Sequence, residues 1–294
     1  MFYRRKILLS LLQLFDNKLD KIKFQKLLML LSNEQVKPNF YFVPYKYGCF
    51  SFQANADLKT MIKYGQVTED DCSWIKTDEE NYLPQLKETD RKALRLTKGR
   101  FGERNKEELI QYTYRQFPYY AQNSTIAADV LNEEELQMVK NERPQCKSTA
   151  LFTIGYEGKT LEQYLNTLIR YDVKVLCDVR KNSVSMKYGF SKSQLQHACT
   201  GLGIKYIHKP ELGIESDRRQ QLNNQADYDR LFRQYRQIVL ASTRTQQDEI
   251  LQLLKSCKRV ALTCFEANIY QCHRTHLAEE LSNLPDFKYE LQHI

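Results

Sequence analysis

The 294-residue sequence contains no apolar run that approaches the ~20 residues a membrane-spanning helix requires. It also has no low-complexity tract and no repeat of the length that builds a solenoid. These absences favour a globular protein, and a hydrophobic fraction of 42% is sufficient to bury real cores. At this length, two domains of ordinary size are expected rather than one.

The first fifteen residues, MFYRRKILLSLLQLF, combine basic residues with an apolar stretch and so imitate a secretory leader. Gln13 and Asp16 interrupt that stretch, and no A-x-A-like cleavage site follows it. The eight cysteines lack the dense spacing of a disulfide framework. We therefore expect reduced thiols and a cytoplasmic protein that does not associate with membranes.

The formal net charge is +8, and the surplus is shared evenly between the two halves of the chain. Such a surplus fits an anionic partner, either a nucleotide or a nucleic acid, although many basic soluble proteins have no such partner. The sequence is also compatible with an oligomer but does not define one.

A polar stretch, KNERPQCKST, covers residues 140–149 and contains Pro144 just before a strongly apolar segment. It predicts a boundary between one domain over residues 1–143 and a second over residues 150–294. All five histidines lie beyond this boundary. We therefore expect the chemistry of the protein in the second domain.

The first domain is predicted to be mainly helical and similar to a winged helix. Leucines recur at helical spacing between Leu8 and Leu31. The aromatic segment FYFVPYKYGCFS is predicted to be extended, to turn at Gly48 and to end at Ser51, which is a suitable helix N-cap. In this fold Lys23, Lys26 and Lys46 would lie near a nucleic-acid backbone. The alternative, that these lysines form an ordinary solvated helix face, stays open.

The second domain alternates short apolar strands with amphipathic helices. Thr160 and Gln163 have the spacing of a capping box at the start of the first of these helices. Short, apolar, unalternating strands are typical of a buried parallel sheet, and strand–helix–strand repetition predicts a doubly wound, Rossmann-like α/β fold. The predicted strands are Phe152 to Ile154, Val173 to Leu176, Ile204 to Ile207 and Val260 to Thr263.

Polar or reactive side chains follow each predicted strand. Ligands of such sheets bind outside the carboxyl ends of the strands, so these side chains are candidates for one site. In chain order the four segments are Gly155 to Gly158, Cys177 to Arg180, His208 to Glu211 and Cys264 to Glu266.

The densest group of reactive residues is CFEANIYQCHR, residues 264–274. In one mechanism, Cys264 or Cys272 is a nucleophile and His273 is its base. In another, Cys264, Cys272 and His273 bind zinc with a fourth ligand from Cys177 or water. The C-x7-C-H spacing is not a recognised zinc signature, so we expect no cofactor and keep zinc as an alternative.

A third mechanism relies on carboxylates. Glu157, Asp178 or Glu266 would perform acid–base or nucleophilic work on a sugar or phosphate. Arg180 and Arg274 would hold an anion beside them.

Structural explanations of the same residues also stay open. Cys264 would then pack under the end of the sheet, and Asp178 and Arg180 would form a structural ion pair. Gly158-Lys159-Thr160 is similar to part of a P-loop, but Thr153 stands where the first glycine of that motif should be, which excludes it.

Through the ordered segments TIGYEGKT, CDVRKNSVSMKYGFSK, IKYIHKPELG and CFEANIYQCHR, the chain resembles the prokaryotic family that carries the domain of unknown function 488. The resemblance covers essentially residues 152–284. Members commonly have a proline in a D-V-R-x-x-P stretch, where this chain has Ser183. The resemblance implies a site formed by Tyr156, Glu157, Asp178, Arg180, Ser185, Phe190, Lys192, His208, Glu211, Cys264, Glu266, Cys272, His273 and Arg274.

The first domain, through KFQKLLMLL and YKYGCFS, is similar over a shorter length to small helical domains of prokaryotic toxin–antitoxin and phage-defence proteins. This similarity implies a role in genome defence or nucleic-acid metabolism.

Together these features favour an enzyme that acts on a nucleotide or nucleic acid, as a hydrolase or transferase at a base, glycosidic or phosphate bond. Asp178 and Glu266 would be its catalytic carboxylates, Arg180 and Arg274 would hold the anion, and Cys264 would assist or attack. One alternative is a non-catalytic nucleic-acid-binding regulator or antitoxin-like module whose pocket senses a ligand or the redox state. The other is a zinc-stabilised structural domain.

Overall fold

The protein is described from a computed structural model, at residues 1–215, 217 and 222–294. The chain divides into two compact units, Met1–Arg143 and Pro144–Ile294, and each is described by itself. Within the described residues, no helix is both long enough and apolar enough to cross a membrane.

The N-terminal unit is mainly helical, as predicted. Side-chain caps begin several of its helices: Asp20 and Ser51 accept hydrogen bonds from the first turns of α2 and α3, and Asn105 forms a capping box with Glu108 at the start of α5. Its helices are α1 (Tyr3–Leu14), α2 (Lys21–Glu34), α3 (Phe52–Lys63), α4 (Glu88–Phe101), α5 (Lys106–Gln116), α6 (Pro118–Ala121), α7 (Ala127–Val130) and α8 (Glu133–Asn141).

Five short strands complete this unit. They form a three-stranded antiparallel sheet in the order β1-β5-β4 and a separate hairpin of β2 and β3 that turns just before Gly48. Helices α1 to α3 with the three-stranded sheet are the elements that a winged helix requires, but the likeness to that fold stays a prediction. The strands are β1 (Lys18–Asp20), β2 (Val43–Tyr45), β3 (Gly48–Phe50), β4 (Val67–Glu69) and β5 (Ser73–Lys76).

The C-terminal unit contains a five-stranded, wholly parallel sheet in the order β10-β6-β9-β7-β8, which confirms the predicted α/β fold. Each of the four predicted strands is present within two residues of its expected bounds. The last strand was not predicted, because its short sequence ELQH lies at the sheet edge and has no buried apolar run. The strands are β6 (Ala150–Gly155), β7 (Val175–Asp178), β8 (Lys205–His208), β9 (Arg259–Cys264) and β10 (Glu290–His293).

Helices cover both faces of this sheet. Val260 and Leu262 of β9 share one apolar cluster with residues of the last three helices. Thr263, on the opposite face of the same strand, accepts a hydrogen bond of 2.7 Å from the hydroxyl of Tyr164 on α9. The helices are α9 (Leu161–Arg170), which begins at the predicted Thr160 capping box, α10 (Lys192–Gly201), α11 (Gln225–Gln234), α12 (Arg244–Cys257) and α13 (His273–Ser282).

The strand order places a natural binding crevice between β7 and β9. From β7 the chain continues through α10 to β8 at one edge of the sheet. From its neighbour β9 it continues through α13 to β10 at the other edge. Because the two connections leave in opposite directions, a crevice opens at the carboxyl ends of these two strands, where doubly wound folds bind their ligands.

The loop after β9 lies directly against the end of β6 at Gly155. The backbone nitrogens of Tyr156 and Glu157 both donate to the carbonyl of Phe265, at 3.1 and 2.9 Å. A Cβ on Gly155 would lie 1.9 Å from the carbonyl oxygen of Glu266. Only glycine permits this close approach, which fixes the loop after Cys264 over the sheet.

We predict that Gly155→Ala lowers the free energy of unfolding of the C-terminal unit by about 1–3 kcal/mol or more, because the added methyl group overlaps backbone atoms. Urea unfolding followed by circular dichroism measures this change. Gly99→Ala is the control, since Gly99 is an exposed residue of α4 where an added methyl group would have no neighbouring atom within 4 Å, and it is expected to be neutral or stabilising. Equal stability of Gly155→Ala and wild type would contradict the close approach.

Candidate functional site

A buried ion pair lies at the carboxyl end of β7. Asp178 is fully buried, and its carboxylate accepts hydrogen bonds from the Nε and Nη2 atoms of Arg180 at 2.8 and 2.5 Å. The backbone nitrogen of Arg180 and the hydroxyl of Tyr206 donate to the same carboxylate at 3.1 and 2.6 Å. Two contacts from one guanidinium fix the orientation of Arg180 and also pair its charge with that of Asp178.

This pair changes the titration of its neighbours. Burial alone would lower the pKa of Arg180, but the Asp178 carboxylate outweighs it and raises that pKa. Burial, followed by the charge of Asp178, raises the pKa of Tyr206. Arg180 therefore stays a cation and Tyr206 a neutral hydrogen-bond donor over the physiological range.

Aromatic rings support the outer side of Arg180. Its Nη1 atom donates to the hydroxyl of Tyr156 at 2.8 Å. The Tyr156 ring stacks on Phe190, with 4.2 Å between ring centroids and 9° between planes, and Tyr164 meets Phe190 edge-on. Phe190 is fully buried, so it positions Tyr156 rather than contacting a ligand.

A second polar cluster lies at the end of β9. The Sγ atom of Cys264 is 3.1 Å from a carboxylate oxygen of Glu266 and 3.6 Å from Nδ1 of His273. Cys264 is only 1% exposed, whereas Glu266 is half-buried. The thiol is thus close to both the carboxylate and the imidazole.

The orientation of the His273 ring is fixed by the end of β7. Its Nε2 atom lies 2.9 Å from the carbonyl oxygen of Val179. A carbonyl oxygen only accepts hydrogen bonds, so Nε2 carries the proton in this contact. In the neutral ring, Nδ1 then has a lone pair directed toward the sulfur of Cys264.

A second thiol completes this cluster. The ligand atoms of Cys264, Cys272 and His273 all lie within 4.8 Å of one another, and all three residues are buried. Burial, followed by the nearby Cys264 and Glu266, raises the pKa of the Cys272 thiol well above its ordinary value. These three residues could hold a metal ion. Among the described residues, they form the group whose potential ligand atoms lie this close together.

A cleft of about 300 Å³ lies between the two clusters. One side of it is formed by Arg180 and the other by Cys264 and His273, so a ligand in the cleft would touch the cation and the reactive groups together. Its remaining lining residues are Tyr156, Lys181, Asn182, Val184, Ser185, Met186, Ile214 and Phe265.

Glu157 and Arg274 hold the loop after β9 rather than face the cleft. Glu157 accepts a hydrogen bond of 2.9 Å from the backbone nitrogen of Ala267. Arg274 is 1% exposed, and its guanidinium donates to the carbonyl oxygens of Glu266 and Ala267 at 2.5 and 3.4 Å. A guanidinium buried in this way is not placed to bind an anion in the cleft.

Of the other predicted polar residues, Ser185 lines the cleft, and His208, Lys192 and Glu211 do not. His208 donates from Nε2 to the carbonyl of Arg180 at 2.9 Å. Lys192 is exposed at the first turn of α10. Glu211 is exposed in a short 3-10 helix and borders a neighbouring depression instead.

The three lysines predicted to face nucleic acid differ in exposure. Lys26 is fully buried, and its ammonium donates to the carbonyl of Tyr47, so a phosphate cannot reach it. Lys23 is half-buried and donates to the carbonyl of Arg104 at 2.7 Å. Lys46 is exposed. Of the three, Lys23 and Lys46 therefore stay candidates.

Sequence reasoning missed several residues of the site. Tyr206 pairs with Leu176 in the sheet, so the alternation of strand residues could have placed it on the same face as Asp178. Lys181 and Asn182 directly follow Arg180 and could have been included for that reason. Met186 and Ile214 carry no reactive group, and no signal in the sequence marks them.

We predict that Arg180→Met lowers the free energy of unfolding of the C-terminal unit by about 3–5 kcal/mol, because it leaves the buried Asp178 carboxylate without its charged partner. Urea unfolding measures the loss. Lys181→Met is the matched control: Lys181 pairs with Glu215 on the surface, and its replacement should change stability by less than about 0.5 kcal/mol. Equal effects of the two substitutions would contradict a stabilising ion pair at Asp178.

Comparison with known proteins gives one match. Residues 160–281 match the family described as "Domain of unknown function DUF488". No curated protein and no solved structure matches the chain. The match covers α9 to α13 and includes Asp178, Arg180 and the segment from Cys264 to Arg274. Within the C-terminal unit, residues 160–281 are therefore similar to the DUF488 family.

Proposed function

We propose that the C-terminal unit is an enzyme that acts on a nucleotide or nucleic acid, as a hydrolase or transferase at a base, glycosidic or phosphate bond. The observation that carries the proposal is the cleft between β7 and β9, which has an oriented guanidinium on one side and a thiol–imidazole–carboxylate cluster on the other.

Arg180 supplies the anion-binding side of the cleft. The Asp178 carboxylate and the Tyr156 hydroxyl hold its guanidinium in one orientation before a substrate arrives. A preorganised cation in a partly enclosed cleft suits a phosphate group, because little reorganisation is required on binding. Lys181 lines the cleft and adds positive charge there. Lys187 lies next to it, where its Nζ donates to the carbonyl of Tyr156.

The reacting groups lie on the side formed by the end of β9. Cys264 and His273 line the cleft, and Glu266 lies 3.1 Å from the sulfur of Cys264. The cluster therefore combines a thiol, which is a soft nucleophile or ligand, with a carboxylate and an imidazole, which are common general bases in enzymes.

The two candidate carboxylates have different parts in this proposal. Four hydrogen bonds occupy the buried Asp178 carboxylate, so its part is to position Arg180 and Tyr206. Glu266 is half-buried, lies beside the thiol and is our candidate for proton transfer.

Binding of a nucleic-acid polymer is the part of the proposal that involves the N-terminal unit. The net charge of +8 and the exposure of Lys46 support it. A helical unit with a small antiparallel sheet would then bring DNA or RNA to the protein, and a role in prokaryotic genome defence is the biological setting we propose.

Mass spectrometry of defined mixtures tests the activity. The full chain is incubated with nucleoside mono-, di- and triphosphates and with single- and double-stranded oligonucleotides, and products are identified by mass. We expect turnover by wild type and a loss of at least about 100-fold in Cys264→Ala and Glu266→Gln, and the half-buried Glu266→Gln should keep the melting temperature of wild type. Asp178→Asn should lower both activity and melting temperature, because it loosens Arg180.

Cys199→Ala is the control for these variants. Cys199 is a fully buried cysteine of α10 that does not line the cleft, so its replacement should leave turnover unchanged. Full turnover in both Cys264→Ala and Glu266→Gln would show that the cluster at the end of β9 is not the reacting site.

A further inference from the structure

Two thiols and an imidazole converge behind the cleft, although a nucleophile and its base require only one thiol. Cys264 ends β9, whereas Cys272 and His273 begin α13, and the intervening loop folds back so that their three ligand atoms lie within 4.8 Å of one another. Cys272 is fully buried and does not line the cleft, so it has no access to a substrate there. If Cys264 and His273 acted alone as nucleophile and base, the position of Cys272 beside them would have no explanation.

We propose that Cys264, Cys272 and His273 bind one divalent transition-metal ion, with zinc as the preferred metal, and that a further coordination position of this ion faces the cleft. Two thiolates and one imidazole favour zinc over magnesium or calcium, which prefer oxygen ligands. Three protein ligands with one open position are the arrangement of catalytic rather than structural zinc sites.

The histidine has the orientation that a metal ligand requires. Metal-binding histidines usually donate the hydrogen of the second ring nitrogen to a carboxylate or a backbone carbonyl, which fixes the tautomer and the ring plane. His273 does so through the contact of 2.9 Å between Nε2 and the carbonyl of Val179. Tyr235 packs edge-on against the ring, with 5.6 Å between centroids. The lone pair of Nδ1 is thereby held toward Cys264 before any ion arrives.

The position of the cluster matches its proposed role. Cys264 and His273 line the cleft opposite Arg180, so an ion bound to them would be reached by a substrate held there. Glu266 lies 3.1 Å from the sulfur of Cys264 and follows it by two residues, which places a carboxylate beside the ion. Arg274 fixes the backbone of that residue through its carbonyl.

This role deepens the proposed function and rests on it for the identity of the substrate. A bound ion would lower the pKa of a coordinated water molecule, and Glu266, beside the sulfur of Cys264, would accept a proton from this water. The water oxygen would form the new bond to the electrophilic centre of the substrate. The leaving group would depart with the electron pair of the broken bond and receive the proton from Glu266, so that the net reaction would be hydrolysis.

Metal content tests the proposal independently of any activity. The full chain is purified under reducing conditions without a histidine tag, and zinc is measured by inductively coupled plasma mass spectrometry. We expect about one ion per chain in wild type, and a content lower by at least about tenfold in Cys264→Ser and Cys272→Ser. Cys199→Ala and Glu266→Gln should keep their zinc. Cys199 lies outside the cluster, and Glu266 is proposed to act on the water molecule and not to bind the ion.

Cobalt substitution covers the case in which a ligand variant fails to fold. Apoprotein titrated with Co²⁺ should show thiolate-to-cobalt charge-transfer absorption that saturates at one equivalent, and zinc should displace it. Cys272→Ser should weaken this absorption while Cys199→Ala leaves it unchanged. Absence of bound zinc in wild type together with absence of the cobalt absorption would overturn the proposal, as would a Cys264–Cys272 disulfide in reduced preparations, detected as the loss of two hydrogen atoms by mass.

The experiments can refute the metal site and the proposed function independently of each other. Bound zinc held by these residues without turnover of any nucleotide or oligonucleotide would retain the metal site and refute the proposed substrate. Turnover that depends on Cys264 in a protein free of metal would retain the enzyme and refute the metal site, leaving Cys264 as the nucleophile.

Discussion

The carboxylate of Asp178 is the group on which the rest of the site depends. A fully buried carboxylate is strongly unfavourable unless charged and polar donors surround it, and this one lies at the end of β7. Arg180 and Tyr206 meet that requirement, and Arg180 in turn binds Tyr156, which stacks on Phe190. One buried charge thus orders a cation, two hydroxyls and an aromatic pair at the edge of a cleft.

The parallel sheet adds a second constraint, because it brings the end of β9 beside the end of β7. The two strands present their functional residues on opposite faces: Asp178 points to the side of α9, whereas Cys264 continues the row of Val260 and Leu262 toward α13. The carbonyl of Val179 links the two sides by accepting the hydrogen bond of His273. The guanidinium of Arg180 and the thiol–imidazole cluster therefore face one cleft while they lie on separate layers of the fold.

Much of this fold follows from local features of the sequence. Unbroken apolar runs predicted four of the five strands, and the capping residues Ser51 and Thr160 marked the starts of α3 and α9. The rule that ligands bind at the carboxyl ends of parallel strands gathered Asp178, Arg180 and Cys264 into one region from the sequence alone.

The burial of long charged side chains could not be predicted in this way, since it depends on tertiary packing. Arginine and lysine are residue types that usually lie at the surface, but Arg274 and Lys26 are buried. Each donates to a backbone carbonyl, and no pattern in the sequence indicates these partners. The meeting of Cys264 with Cys272 likewise depends on the path of the loop between them. The unpredicted strand β10 is short and half-exposed, so its placement comes from pairing with β6 rather than from its own pattern.

Hydrogen–deuterium exchange of the full chain tests the location of the site most directly. Exchange is compared without and with a mixture of ribonucleotides, deoxyribonucleotides and a single-stranded DNA oligonucleotide. A ligand bound between β7 and β9 should slow exchange in peptides that cover residues 180–186 and 264–274, with no comparable change in α12. Slower exchange confined to other segments, or none with any of these ligands, would contradict the assignment of this cleft as the functional site.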